Sequence, residues 1–163
     1  MELDEILEEV RRVGVRHVTV TGGEPLAQPA CLELLQCLAD EGFSVSLETS
    51  GALDIAKVDP RVIKVMDLKP PGSGEERRNR LENLEFLTPK DQVKFVILDR
   101  RDYEWAKAML KTYRLAERCE VLFQPVAGKL VPRWLAEWIL EDRLPVRFQV
   151  QLHKLLWGEE RGH

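Results

Sequence analysis

The chain has 163 residues, 44% of them hydrophobic and 32% charged, which is enough for one domain with a real core and too apolar for intrinsic disorder. Its 24 basic and 28 acidic side chains leave a formal charge of -4, with no positive excess to neutralise a phosphate backbone, so a dedicated nucleic-acid binder is excluded and a small-molecule partner is expected. No apolar run is long enough to cross a bilayer, and the start Met1-Glu-Leu-Asp-Glu5 is acidic where a secretory leader would be basic, so a cytoplasmic protein with no membrane partner is expected.

In chain order, Leu3, Ile6, Leu7, Val10 and Val13 recur at helical spacing before Gly14, predicting a first helix. His17 to Thr21 alternates with a period of two and ends at Gly22-Gly23, as a strand entering a sharp turn does. Pro29 opens a second helix that Gly42 closes, and Ser44 to Thr49 is the second strand. Val62 to Leu68 is the third strand, broken by Pro70-Pro-Gly-Ser-Gly74 and followed by a short helix over Arg77 to Phe86. The pattern then predicts a strand at Gln92 to Leu98, a helix at Tyr103 to Tyr113, a strand at Val121 to Gln124, a helix from Pro132 to about Leu140, and a last strand at Phe148 to Leu152. No linker or repeat interrupts the order, so residues 1–163 are assigned to one domain.

Alternating strands and helices imply a mostly parallel α/β sheet. Its faces differ. One carries His17, Thr19 and Thr21, Ser44, Ser46 and Glu48, Gln92 and Lys94, Glu120 and Gln124, then Arg147, Gln149, Gln151 and His153. The alternate positions, among them Val45, Leu47, Val93, Phe95 and Ile97, are apolar. A doubly wound sheet would be apolar on both faces, and a closed eight-stranded barrel would fill its inside with branched aliphatics. The expected architecture is therefore a partial (β/α) barrel of about six strands with a polar lumen; a two-layer sheet with one exposed face is the alternative.

In such folds ligands meet the C-terminal strand ends. There the chain places Thr21-Gly-Gly-Glu-Pro25, Glu48-Thr-Ser-Gly51, Asp67-Leu-Lys69, Gln124 and Gln151-Leu-His-Lys154. Adjacent glycines let backbone approach a ligand closely and Glu24 offers a carboxylate for an ammonium group, although the same segment also reads as a rigid tight turn. Asp67 and Lys69 share one side of their strand end, where they either contact a ligand or form an ordinary rim ion pair. Lys94, in mid-strand, needs a partner or a cavity; His153 is either an acid, base or donor, or a structural histidine. The three cysteines, Cys31, Cys37 and Cys119, show no metal-binding spacing and are read as apolar packing residues.

The set Val20-Thr-Gly-Gly-Glu-Pro-Leu-Ala-Gln28, Leu47-Glu-Thr-Ser-Gly51, Val65-Met-Asp-Leu-Lys69, Pro71-Gly-Ser-Gly74, Asp91-Gln-Val-Lys-Phe-Val-Ile97 and Phe148-Gln-Val-Gln-Leu-His-Lys154 resembles the 7-carboxy-7-deazaguanine synthase family of the radical S-adenosylmethionine (radical SAM) superfamily. The likeness runs from about Leu3 to Gly158. It implies a lyase of preQ0/queuosine biosynthesis that turns 6-carboxy-5,6,7,8-tetrahydropterin into 7-carboxy-7-deazaguanine, with S-adenosylmethionine, a [4Fe-4S] cluster and Mg2+, as a homodimer. Carried over by position, Gly22, Gly23 and Glu24 would hold the methionine end of the cofactor. Asp67, Leu68, Lys69 and Gln124 would contact S-adenosylmethionine, and Thr21 and His153 the pterin. The family's cluster-binding cysteines and its magnesium-binding threonine would precede Met1, and neither the spacing nor the position of Cys31, Cys37 and Cys119 replaces them. The expectation is an N-terminally truncated member with no catalytic residue of its own that is inactive alone; the alternative is a non-catalytic module that binds S-adenosylmethionine or the pterin and partners another subunit.

Overall fold

Helix α1 (Leu3–Val13) starts where Glu5 Oε2 accepts the Glu2 N–H at 3.0 Å and stops at Gly14, whose φ of 72° suits a left-handed helix end. It leads into β1 (His17–Val20) in a computed structural model that describes residues 2–158, the side chain of His153 excepted. The chain continues through α2 (Cys31–Asp40), β2 (Ser44–Thr49), β3 (Ile63–Asp67), β4 (Gln92–Ile97), α3 (Arg100–Thr112), β5 (Glu120–Pro125), α4 (Pro132–Asp142), β6 (Arg147–Phe148) and α5 (Leu152–Trp157). The six strands form one sheet in the order β1-β2-β3-β4-β5-β6, and every pairing is parallel.

Period-two alternation sorts the side chains of this sheet. Val45, Leu47, Met66, Val93, Phe95, Ile97, Val121 and Phe123 are buried in one core with Leu7, Leu35, Leu38, Tyr103, Leu110 and Leu135 from the helices. Phe95 lies at its centre, edge-on to Phe123 at 5.5 Å and to Trp105 at 5.9 Å between ring centroids. The other face, left open by these helices, carries Thr19 and Ser46, whose hydroxyls share a hydrogen bond of 2.9 Å, and Lys94, which donates to Glu48 Oε2 at 3.0 Å.

The first part of β3 inverts this polarity, before Met66 and Asp67 restore it. Ile63 and Val65 stand on the open face in register with Ser46 and Gln92, while Lys64 is buried on the helix side. Lys64 survives there because Asp91, also fully buried, lies 3.0 Å from its Nζ and accepts its backbone N–H at 2.8 Å. Thr88 donates both its N–H and its hydroxyl to the same carboxylate at 2.8 Å.

Two predicted elements differ. The sixth strand is only Arg147–Phe148, paired with Leu122 and Phe123; Gln149 N still donates to Phe123 O at 3.0 Å, and the chain then turns into α5. Its neighbour β5 ends at Pro125, which has no N–H to extend a ladder, so the alternation beyond Gln149 finds no partner. His153 consequently belongs to a helix rather than to a strand end, and its side chain lies outside the described residues. The helix expected over Arg77 to Phe86 is two 3-10 turns, Glu76–Arg78 and Leu81–Phe86. Asn79 and Asn83 tie this stretch to the ends of β3 and β2 through side-chain hydrogen bonds, which a continuous α-helix would not allow.

Strand β1 pairs only with β2 among the described residues. Such an edge templates association between copies. The chain is expected to self-associate on concentration, and Thr19→Lys, which puts a charge on this exposed edge, is expected to reduce it; light scattering across a concentration series measures both.

Candidate active site

Loops at the C-terminal ends of β1 to β5 line three adjoining clefts of about 480, 130 and 410 Å3, and Lys69 lines all three. They form one trench. Its first part lies between Gly23, Ser50 and Arg78; its narrow middle is made by Thr21, Gly22, Glu48, Asp67 and Lys94; its last part lies between Gly72, Val96, Lys129 and Gln151. The sequence-predicted residues Thr21, Gly22, Gly23, Asp67 and Lys69 are thus brought together.

The Gly22-Gly23 turn is held from below. Glu24 Oε1 accepts from Leu26 N at 3.2 Å and Thr49 Oγ1 at 2.9 Å, while Oε2 accepts from Ser50 N at 2.9 Å and from the Ser50 hydroxyl. Glu24 lines the first cleft, but its carboxylate is already surrounded by donors from the end of β2, so its role in the fold is to lock the β1 and β2 ends together. A Cβ at Gly22 or Gly23 would meet nothing within 4 Å, and both residues line the narrow middle of the trench. Gly51 has φ 71°, and a Cβ there would come within 2.8 Å of Met66 Cγ, which explains glycine at the close of the Leu47-Glu-Thr-Ser-Gly51 motif.

Asp67 and Lys69 lie on the opposite wall. Lys69 Nζ donates to Asp67 Oδ2 at 2.8 Å, and Asp67 Oδ1 is buried with no hydrogen-bond partner. An orphaned carboxylate oxygen costs free energy unless something arrives to donate to it. Leu68, between them, sends its side chain into the core at 0% exposure, so its contribution to any ligand is limited to its backbone. Gln124 is 5% exposed on the open face, accepts from Gln149 Nε2 at 3.2 Å and does not line the trench clefts.

The donor set suits a polar organic ligand better than a metal or cluster. Burial and the nearby Glu24 push the Cys31 thiol up, burial pushes Cys119 up to about 11, and both are buried while Cys37 is partly so. Thiolates, the form that binds iron, are disfavoured at these two positions. Among the described residues no group of three or more His, Cys, Asp or Glu side chains is placed to hold a metal ion. An iron–sulfur cluster does not fit the cysteines of this chain; the glycine turn and the orphaned Asp67 oxygen do fit a cofactor rich in N–H and O–H donors, as S-adenosylmethionine is.

Several participants escaped sequence reasoning. Asn79, Asn83 and Asp102 hold the trench loops by bonding backbone far away in sequence. The Pro70 to Gly74 breaker announced a loop there but not its anchors.

Residues 1–68 match the model of the radical SAM superfamily. The 7-carboxy-7-deazaguanine synthase of Chlorobaculum tepidum is 42% identical over 98% of this chain and 74% of its own length, and that of Koribacter versatilis is 40% identical over 98% and 77%. The crystal structure of QueE from Escherichia coli superposes with a TM-score of 0.70 at 25% identity, covering 93% of this chain and 64% of that one. SuiB of Streptococcus suis, solved with S-adenosylmethionine bound, shares the fold with a TM-score of 0.59 at 13% identity, covering 98% of this chain and 45% of that one. The open six-stranded sheet is accordingly a partial barrel of the radical SAM type.

Proposed function

The chain belongs to the 7-carboxy-7-deazaguanine synthase family, and from that premise we propose that its trench is the part of the family's active site that binds S-adenosylmethionine and 6-carboxy-5,6,7,8-tetrahydropterin. Residues 1–163 then act as one radical SAM domain in the formation of 7-carboxy-7-deazaguanine for queuosine-type nucleosides. The observation that carries this reading is that Asp67, whose buried Oδ1 has no hydrogen-bond partner, lines the same narrow cleft as the Gly22-Gly23 turn.

Bound S-adenosylmethionine would supply, on receiving one electron, the adenosyl-radical chemistry of this family, in which a substrate hydrogen is abstracted and ring contraction releases ammonia. This chain's own residues bind and orient. The peptide groups of Gly22 and Gly23 receive the methionine end, kept in place by the Glu24 anchor below. Lys69 holds one carboxylate oxygen of Asp67, and a ligand N–H or O–H that reaches the buried Oδ1 satisfies the other. The family resemblance assigns Thr21 and His153 to the pterin and Gln124 to S-adenosylmethionine. Neither Mg2+ nor the cluster is assigned a ligand among the three cysteines and the strand ends described. The assembly carried over from the family is a homodimer in the cytoplasm; no described helix is long and apolar enough to cross a membrane.

Because the cysteines do not fit a cluster, a module that binds S-adenosylmethionine or the pterin for another subunit is the second reading. Calorimetric titration of the chain with S-adenosylmethionine tests both. Binding is expected, weakened about tenfold or more, or about 1.4 kcal/mol, by Asp67→Asn and by Gly23→Val; no measurable binding by the intact chain, or equal affinity in all three proteins, would overturn the assignment. Anaerobic supply of iron, sulfide and a one-electron reductant tests the misfit of the cluster: neither a cluster spectrum nor cleavage of S-adenosylmethionine is expected, and the appearance of both would overturn it.

A further inference from the structure

The strand ends that carry the trench need something to hold them once the sheet stops. On β3 the last ladder bond is Leu68 N to Lys94 O at 3.0 Å. The next residues are Lys69, Pro70 and Pro71, and neither proline has an N–H to offer. The peptide groups on both sides of Lys69 would therefore lack a partner at the point where the lysine must be aimed.

Asn79 supplies one. Its Oδ1 accepts the Lys69 N–H at 2.9 Å and its Nδ2 donates to the Lys69 C=O at 2.9 Å. A primary amide offers the same donor and acceptor as a peptide group, so Asn79 stands in for the strand that is no longer there. It is itself fixed: its N–H closes the Glu76 turn at 3.1 Å, and the next residue, Arg80, donates its N–H to Gly51 O, also at 3.1 Å. Asn83 completes the stitch by donating to Gly51 O at 3.0 Å and Leu53 O at 2.7 Å. One segment thus ties the end of β2, under the Gly22-Gly23 turn, to the end of β3.

We infer that Asn79 is a positioning residue of the ligand site: it clamps the backbone of Lys69 so that Nζ reaches back to Asp67 Oδ2 and leaves Asp67 Oδ1 for the ligand. The role rests on the reading of the trench as an S-adenosylmethionine site. Asn79 touches no ligand in this scheme and acts only through Lys69. A polar residue in a surface turn that merely stabilised the loop would lower stability without any special dependence on the Lys69 side chain.

The test is a double-mutant cycle on the full 163-residue chain, read by calorimetric affinity for S-adenosylmethionine and by amide hydrogen exchange at Lys69. Asn79→Leu, similar in size and unable to make either bond, is expected to weaken binding about tenfold and to speed Lys69 exchange about tenfold, with exchange at Val93 and Phe95 unchanged. In a Lys69→Ala background the same substitution is expected to cost no further affinity. If Asn79→Leu does not fold, Asn79→Ala takes its place, since it too can make neither bond. Affinity unchanged by the Asn79 variant while Asp67→Asn weakens it would overturn the inference and leave the site assignment standing, and so would a loss equal in size with and without the Lys69 side chain. No affinity in the wild-type chain would overturn the site assignment instead; Lys69 exchange then decides the clamp, acceleration supporting it and an unchanged rate overturning it.

Discussion

Asp91→Asn is expected to lower the free energy of unfolding by about 3–5 kcal/mol at neutral pH, a large share of the total for a domain of this size. The substitution keeps the shape but leaves the Lys64 ammonium, 5% exposed at its side chain, without a counter-charge on the packed face of the sheet. Burial alone would raise the Asp91 carboxyl, but hydrogen bonds from Lys64 and Thr88 outweigh it and hold the carboxyl below its ordinary range. A carboxyl depressed in the folded state stabilises fully above its unfolded value, about 3.9, and that contribution is lost as the pH falls through the lower folded value. The gap between wild type and variant should therefore be widest near neutrality and close below about pH 4. Urea unfolding at several pH values measures it. The double variant Lys64→Met with Asp91→Leu should recover most of the loss, because a buried pair replaced whole leaves no orphaned charge; a double variant as unstable as the single one would sink this account.

Glu24→Ala should cost about 3 kcal/mol and weaken ligand binding in the same protein. Thr49, 3% exposed, and Ser50 would lose the acceptor for their hydroxyls, and Ser50 N and Leu26 N would lose theirs. Unsatisfied donors at a buried strand end are costly, and hydrogen bonds to a carboxylate are stronger than neutral ones. Thr49→Val removes one of the four donors and leaves only the Gly51 N–H, which Thr49 Oγ1 accepts at 3.2 Å, without its partner, so it should cost less. Equilibrium unfolding of the two variants side by side is the measurement; a loss below about 0.5 kcal/mol for Glu24→Ala would mean that the cage adds nothing to the turn.

The strands were legible because their alternation is physical: Val45 and Leu47, or Val93, Phe95 and Ile97, must face the helices, and their neighbours must then face away. The glycine turn and the Asp67 to Lys69 pair were legible because they sit where alternation stops. What stayed hidden has no period. Lys64 on the packed face looks like any polar strand residue until Asp91, 27 positions later, is placed beside it. The Glu24 cage spans 25 positions to Thr49, and the Asn79 clamp lies in a polar stretch that composition marks only as a loop. The tail failed for another reason: Phe148 to Leu152 has strand alternation, but a strand exists only where a neighbour offers hydrogen bonds, and β5 has ended at Pro125.

The strictly sequential strand order has a kinetic consequence. Among the described residues each strand from β2 onward pairs with the one made just before it, so it does not have to wait for a distant part of the chain before it can join the sheet. During synthesis the sheet can grow by one strand at a time, with each new edge capped by the next unit to leave the ribosome. The trench matures in the same order, because the Glu24 anchor needs only β2, the Asn79 clamp only the turn after β3, and the Asp102 bond to Gly72 only the start of α3.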